Sequence, residues 1–208
     1  GVARGSADTW LNRADYCMDM AVGAPPDPFS PTGQNWDLPP LNPMVLKHTG
    51  YEKFVRLLRE NMRLYGILRI DHVMALCRLW WVAGETADFG AYVHYDADVM
   101  FAILALESRR NQCVVIGEDL GTVPDQARYL LNRYQVFSYK VVYFSKGWHG
   151  FELPEEYPEQ AITVVSTHDV APLAGYWTGK DLDLMFRLGT IPDAETFQTT
   201  LEAREHDK

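Results

Sequence analysis

Leu68-Arg69-Ile70-Asp71-His72 is a short apolar run that stops on an acid, and the same pattern returns twice. Val114-Val115-Ile116-Gly117-Glu118-Asp119 runs into Glu118, and Ile162-Thr163-Val164-Val165-Ser166-Thr167-His168-Asp169 runs into Asp169. A β-branched run bounded by turn residues reads as a buried parallel strand. Helical patterns lie between the runs, so the repeating unit is a strand followed by a helix. In a barrel of such units the C-terminal strand ends share one mouth. Asp71, Glu118 and Asp169 are therefore expected to meet there despite their separation in sequence. A close pair of carboxyls plus a third acid is the equipment of a retaining glycosidase or glycosyl transferase.

Outward from these runs the periodicity changes to that of helices. Residues 51–65 place Phe54, Leu57, Leu58, Met62 and Tyr65 on one stripe, and Gly66 supplies a stop. Residues 96–110 place Val99, Met100, Ile103, Leu104 and Leu106 likewise, with Asp96 and Asp98 in the first turn, where the helix dipole favours them. Pro124 suits the first position of a helix reaching about residue 133, capped by Thr122 or Val123. Residues 138–144 and 161–166 read as strands, and 181–188 and 193–204 as helices. Four such strands give an α/β fold with parallel strands and flanking helices. A closed eight-stranded barrel takes about 250 residues. The 208 residues are thus expected to form one fragment of a catalytic (β/α)8 domain, a partial TIM barrel missing strands on both sides.

Residues 22–43 are dense in proline and glycine. Neither a helix nor a central strand tolerates that many prolines, so a long loop is expected. Such loops inside a compact domain are functional or disordered. Phe29, Trp36 and Leu38 argue for order. The region 17–50 is accordingly read as an active-site loop.

The net charge of −9, with no Lys/Arg cluster, argues against a nucleic-acid partner and is compatible with a neutral substrate. Cys17, Cys77 and Cys113 are odd in number and form no CxxC pair, which suggests neither a zinc site nor a disulfide framework. Reduced thiols and a cytoplasmic location are the plain reading. No signal peptide or membrane-length apolar run is present, so no membrane partner is expected. Six Trp among 12% aromatic residues suit a sugar cleft or an ordinary core equally.

Four stretches in order carry a resemblance. They are the run from Val22 through Gly33-Gln34-Asn35-Trp36-Asp37 to Pro40, then Leu68 to Met74, Val115 to Pro124, and Ser166-Thr167-His168-Asp169. Together they resemble the 4-α-glucanotransferases (amylomaltases, or disproportionating enzymes) of glycoside hydrolase family 77. The likeness runs from about Gly5 to Trp177. It implies a (β/α)8 barrel related to the α-amylases, here about strands 4 to 7 with the long loop after strand 3. It implies transfer of α-1,4-glucan segments between maltooligosaccharides with retention, and no cofactor or metal. By position in the motifs, Asp71 matches the nucleophile, Glu118 the general acid/base and Asp169 the transition-state stabiliser. The family reads Gly where this chain has Asp37, which puts the local loop geometry in question.

Retaining transfer needs its two carboxyls about 5–5.5 Å apart. Arg69 lies two residues before Asp71, on the same side of a strand, and would hold it ionised. Glu118 must first give a proton to the leaving oxygen and then take one from the incoming hydroxyl. His72 and His168 are candidate donors to the sugar. Trp36 and Phe29 offer faces for a pyranose, and Gln34, Asn35 and Asp27 offer hydrogen bonds. Each residue alone also reads blandly: Asp71 as a strand-end partner of Arg69, Glu118 as a helix N-terminal acid, Trp36 as a pin for its loop. Asp119 reads as a turn-stabilising group. A hydrolytic α-amylase relative using the same acids is the rival activity. An inactive piece that at most binds glucan is the other, and the isolated 208 residues are expected to turn over little.

Overall fold

The computed structural model describes residues 1–27, 30–147 and 150–206. They fall into two compact units, Gly1–Ser138 and Tyr139–Lys208. In chain order the first contains α1 (Ala7–Leu11), β1 (Ala21–Ala24), β2 (Gln34–Leu38), α2 (Pro43–His48), α3 (Glu52–Met62) and β3 (Ile67–Ile70). It continues with β4 (Arg78–Val82), β5 (Gly90–His94), α4 (Ala97–Asn111), β6 (Val114–Gly117) and α5 (Asp125–Arg133).

The expected strands 67–71 and 113–117 are β3 and β6, and they pair in parallel with Ile67 opposite Val114 and Ile70 opposite Gly117. The ladder extends to a third segment, because Gly117 N–H donates to the Phe137 carbonyl (2.8 Å) and Phe137 N–H to that of Val115 (3.0 Å). Alternation sorts the side chains. Leu68, Ile70 and Val115 join Phe54, Leu58 and Met62 of α3, Met100, Phe101 and Leu104 of α4, and Ala127, Leu130 and Leu131 of α5 in one core. Ile67, Arg69, Val114 and Ile116 occupy the opposite face.

The helices start where their caps dictate. Asn42 Oδ1 accepts from the N–H groups of Met44 (3.0 Å) and Val45 (3.3 Å), with Pro43 as first residue of α2. Asp96 caps α4 through Val99 N–H, one position outside the helix. Pro124 also stands one position outside, preceding α5 rather than opening it. α3 and α4 are pinned together by Glu107, which is 1% exposed and receives Arg59 (2.7 and 2.9 Å) and Arg110 (2.8 Å). Arg59 foremost, with Arg110, holds that carboxyl below its ordinary range against the opposing pull of burial.

The proline-rich region departs from the expected loop. β1 and β2 pair antiparallel within it, and α2 follows. β4 and β5 form an antiparallel hairpin that completes a four-stranded sheet in the order β2-β1-β4-β5. Proline excludes only its own position from a ladder. The segments 21–24 and 34–38 contain none, the prolines of the region coming between them in sequence and after β2. Gly23 is required where the strands meet, since a Cβ there would lie 2.0 Å from the Gln34 carbonyl oxygen.

The second unit contains most of β7 (Ser138–Val141), then β8 (Lys146–Gly147), β9 (Gly150–Phe151), β10 (Ala161–Val164), α6 (Leu173–Thr178), α7 (Lys180–Arg187) and α8 (Ala194–His206). β7 hydrogen-bonds to β10. Both are shorter than the expected 138–144 and 161–166, because the chain turns into a 3-10 helix at Val142–Phe144 and leaves the ladder after Val164. Tyr143 stacks on Tyr176 at 4.2 Å, and the Arg204 guanidinium lies 3.9 Å from the Tyr176 ring. Arg204 also donates to both oxygens of Asp181 at 2.6 Å, which ties α8 to α7. α6 is absent from the sequence-based expectation, being a single short helix with Gly175 inside it.

Candidate active site

β3 and β6 end side by side, and the two acids follow directly. Alternation carries Asp71 onward from Ile67 and Arg69, and Glu118 onward from Val114 and Ile116. Glu118 N–H donates to the Ile70 carbonyl at 2.8 Å, so the register persists to the acids themselves. Their environments differ. The Asp71 side chain is 76% exposed, and its Oδ1 accepts from Arg69 Nη1 at 2.6 Å. That pair lies on the strand face away from the core helices.

Glu118 is 9% exposed, and backbone donors hold both of its oxygens. His72 N–H reaches Oε2 at 2.8 Å and Leu120 N–H reaches Oε1 at 2.6 Å. Val73 N–H takes the Glu118 carbonyl at 2.9 Å. The chain achieves this by turning sharply at His72, whose φ of 47° and ψ of 59° lie in the left-handed region. A 3-10 turn, Val73–Leu76, then buries Val73, Met74 and Leu76. Gly117 is dictated by this approach, since a Cβ there would meet three Val73 side-chain atoms at 2.9–3.0 Å. Asp119 accepts from Ser138 Oγ at 2.8 Å, which anchors the turn after β6.

The His72 ring meets the edge of Trp36, with centroids 5.5 Å apart and an interplanar angle of 83°. Burial holds its pKa below the ordinary 6.5, against the pull of Glu118 and Asp71. Trp36 stands on β2 and is oriented by its own Nε1–H, which donates to Gln34 Oε1 at 2.9 Å. The first unit thus brings Arg69, Asp71, His72, Glu118, Trp36 and Gln34 into one neighbourhood. Asp27 is used locally, its Oδ1 accepting from Ser30 N–H at 2.6 Å. Asn35 is used structurally: Nδ2 donates to the Gly84 carbonyl (3.2 Å) and Oδ1 accepts from Asp37 N–H (2.9 Å). Asp37 adopts the left-handed backbone that glycine favours, at φ 52°, with Oδ1 3.3 Å from Arg4 Nε. Arg4 also donates to the carbonyls of Met18 and Met20 and so braces the segment before β1. Phe29 lies outside the described residues.

In the second unit His168 and Asp169 follow β10. His168 Nε2 lies 3.4 Å from Asp169 Oδ2, both side chains are exposed, and Asp169 N–H donates to Thr167 Oγ1 at 3.1 Å.

Residue-type reasoning missed the groups that hold Glu118. They are main-chain N–H groups of His72 and Leu120, and their only sequence trace is Gly117, the small residue that admits Val73.

Comparison with known proteins adds the lineage. A sequence profile described as 4-alpha-glucanotransferase matches residues 1–207. The chain belongs to that family. It is 50% identical over 207 residues to the 4-alpha-glucanotransferase of Haemophilus influenzae, covering 99% of this chain and 30% of that protein. It is 38% identical to that of Mycobacterium bovis, covering 100% of this chain and 29% of the relative. The chain therefore spans about a third or less of these relatives' lengths. The crystal structure of amylomaltase from Corynebacterium glutamicum superposes with a TM-score of 0.92 at 35% identity, over 98% of this chain and 29% of that one. Amylomaltase from Streptococcus agalactiae, solved with acarbose, matches in fold at a TM-score of 0.76 and 24% identity over 96% of this chain. The α/β fold is thus that of an amylomaltase part.

Proposed function

We propose that the gene product carrying this chain transfers α-1,4-glucan segments between maltooligosaccharides with retention, through a covalent glucosyl–enzyme. In this reading β3, β6, β7 and β10 correspond to strands 4 to 7 of a (β/α)8 barrel. The observation that carries it is the parallel β3–β6 pair ending in Asp71 and Glu118. Neighbouring strands run about 4.8 Å apart, so this register sets the two acids on adjacent strand ends, as a retaining carboxyl pair requires.

Asp71 attacks the anomeric carbon. Its openness to approach and the Arg69 guanidinium at 2.6 Å support that role, because the charge-assisted hydrogen bond orients the carboxylate. Glu118 gives its proton to the glycosidic oxygen as the C1–O bond breaks, then removes one from the 4-hydroxyl of the incoming glucan. A carboxyl group retains acceptor capacity beside its proton, so the two N–H contacts are compatible with both roles. Asp169 stabilises the positive charge that develops on the ring. Trp36 presents a flat wall, and His72 and His168 are donors to sugar hydroxyls. Holding water away from the glucosyl–enzyme favours transfer over hydrolysis. The neutral substrate is compatible with the charge of −9. The free Cys17, Cys77 and Cys113 support a reducing, cytoplasmic setting.

Incubation of the gene product with maltotriose tests the reaction. A ladder of longer maltooligosaccharides, abolished by Asp71→Asn, is expected. Glucose and maltose alone would replace transfer by hydrolysis.

A further inference from the structure

Glu118 is a constrained carboxyl, and one of its two donors stands at a residue of uncommon backbone conformation. The terminal torsion of a glutamate is broad and roughly two-fold, so nothing intrinsic fixes the plane of its carboxyl group. Here two separate N–H groups hold the two oxygens, His72 at 2.8 Å and Leu120 at 2.6 Å, and together they fix that plane. The His72 donor sits where the chain takes a backbone conformation that most side chains disfavour, and that turn carries the next N–H, Val73, back onto the Glu118 carbonyl, holding the His72 amide against the Glu118 side chain. At φ 47° and ψ 59° the chain leaves β3 so that two successive N–H groups face Glu118, His72 toward its side chain and Val73 toward its carbonyl. Gly and Asn adopt this region readily; Ala and Val do so at increasing steric cost.

We propose that the left-handed backbone at His72 is a positioning device for Glu118: the main-chain turn, rather than the imidazole, sets the orientation in which Glu118 delivers its proton. The inference rests on Glu118 being the acid/base. The ring has a separate role. It packs against the Trp36 edge at 5.5 Å, and burial disfavours its protonation. Backbone and side chain of one residue thus serve different neighbours and are separable by substitution.

The leaving group distinguishes proton delivery from every other contribution. When a glucan oxygen leaves C1, the electron pair of the breaking bond must be taken up by a proton from Glu118, while Asp71 supplies the pair for the new C1–O bond. Fluoride leaves as the anion and needs no proton. A misoriented Glu118 therefore slows the first turnover of maltotriose and spares that of α-maltosyl fluoride.

The experiment compares His72→Gly, His72→Asn, His72→Ala and His72→Val in the gene product carrying this chain, with the unfolding temperature of each recorded. The readout is the ratio of first-turnover rates, maltotriose over fluoride, which cancels any loss of sugar contact by the ring. The ratio is expected to stay within about threefold of the parent for Gly and Asn. It is expected to fall about tenfold for Ala and about a hundredfold for Val, within the range general-acid catalysis supplies. Should the Val variant not fold, the Ala–Gly difference decides. A ratio flat across the series, or equally low in Gly and Val, overturns the proposal. Glu118→Gln separates the two levels of the argument. A low ratio there beside a flat series rejects only the positioning role, and an unchanged ratio in Glu118→Gln rejects the acid/base reading itself.

Discussion

Replacing Gly117 by alanine tests how tightly the turn after β3 is fitted to the end of β6. The new Cβ would lie 2.9 Å from Val73 Cγ2 and 3.0 Å from its Cβ and Cγ1. Ordinary carbon contacts begin near 3.5 Å, so Val73 must retreat by about 0.6 Å, the difference between 3.5 and 2.9. It has no free direction, being 0% exposed. Forcing an extra methyl into a packed site costs about 1–3 kcal/mol. Lost freedom of the unfolded chain returns about 0.4–1 kcal/mol of that. Val73→Ala alone removes two methyl-sized groups, about 1.6 kcal/mol at 0.8 each, plus a cavity contribution, for about 2–3 kcal/mol. In the double variant the methyl added at position 117 occupies space that Val73 vacated. The total is then expected near 2 kcal/mol, so the two substitutions couple by about 1 kcal/mol or more. Urea titration gives each value from the shift in midpoint at constant slope. Additivity within about 0.5 kcal/mol would refute the packing argument. Because Val73 N–H holds the Glu118 carbonyl, Gly117→Ala alone should also depress transfer.

Glu118→Gln and Asp71→Asn are each expected to lower maltotriose transfer by about 10² or more. Only the first should also destabilise, by about 1–3 kcal/mol in urea titration, since one N–H donor would then face an amide NH2. Acid should weaken the fold in two stages, visible as urea midpoints between pH 7.5 and 3.5. Below 6.5 the unfolded chain takes up a proton on His72 that the folded chain resists, and His72→Asn should remove that slope. The stabilisation of ionised Glu107 is complete above its ordinary 4.5 and is lost as pH falls through its lowered folded value; Glu107→Gln should flatten that limb. Asp37 sits at φ 52°, so Asp37→Val should cost about 1–2 kcal/mol in midpoint while Asp37→Gly should not destabilise.

The part of the fold that was legible is the part whose pattern has one period throughout. Leu68 and Ile70 alternate with Ile67 and Arg69, and Phe54, Leu58 and Met62 recur at helical spacing, so β3 and α3 stand where expected. The antiparallel sheet was hidden by composition. Prolines crowd the sequence after Ala24 and the exit from β2, and they mask the short β1–β2 ladder beside them. The β4–β5 hairpin did have a signal: Arg78–Val82 and Gly90–His94 are aromatic and β-branched runs around Gly84-Glu85-Thr86-Ala87-Asp88. Trp80 ties that turn down by donating to the Ala87 carbonyl at 2.9 Å. In the candidate site, the neighbourhood of Arg69, Asp71 and Glu118 was legible because strand alternation and side-chain chemistry point to it. The clamp on Glu118 was not, because main-chain N–H groups carry no residue identity and histidine does not announce a left-handed turn.

Glu107 has a consequence for how the first unit assembles. Its carboxylate belongs to α4, where Arg110 is already at hand three residues away, but Arg59 comes from α3, 48 residues earlier. With α3 detached Glu107 would lose both Arg59 hydrogen bonds and keep Arg110 alone. This one acid therefore makes the seat of each helix depend on the other.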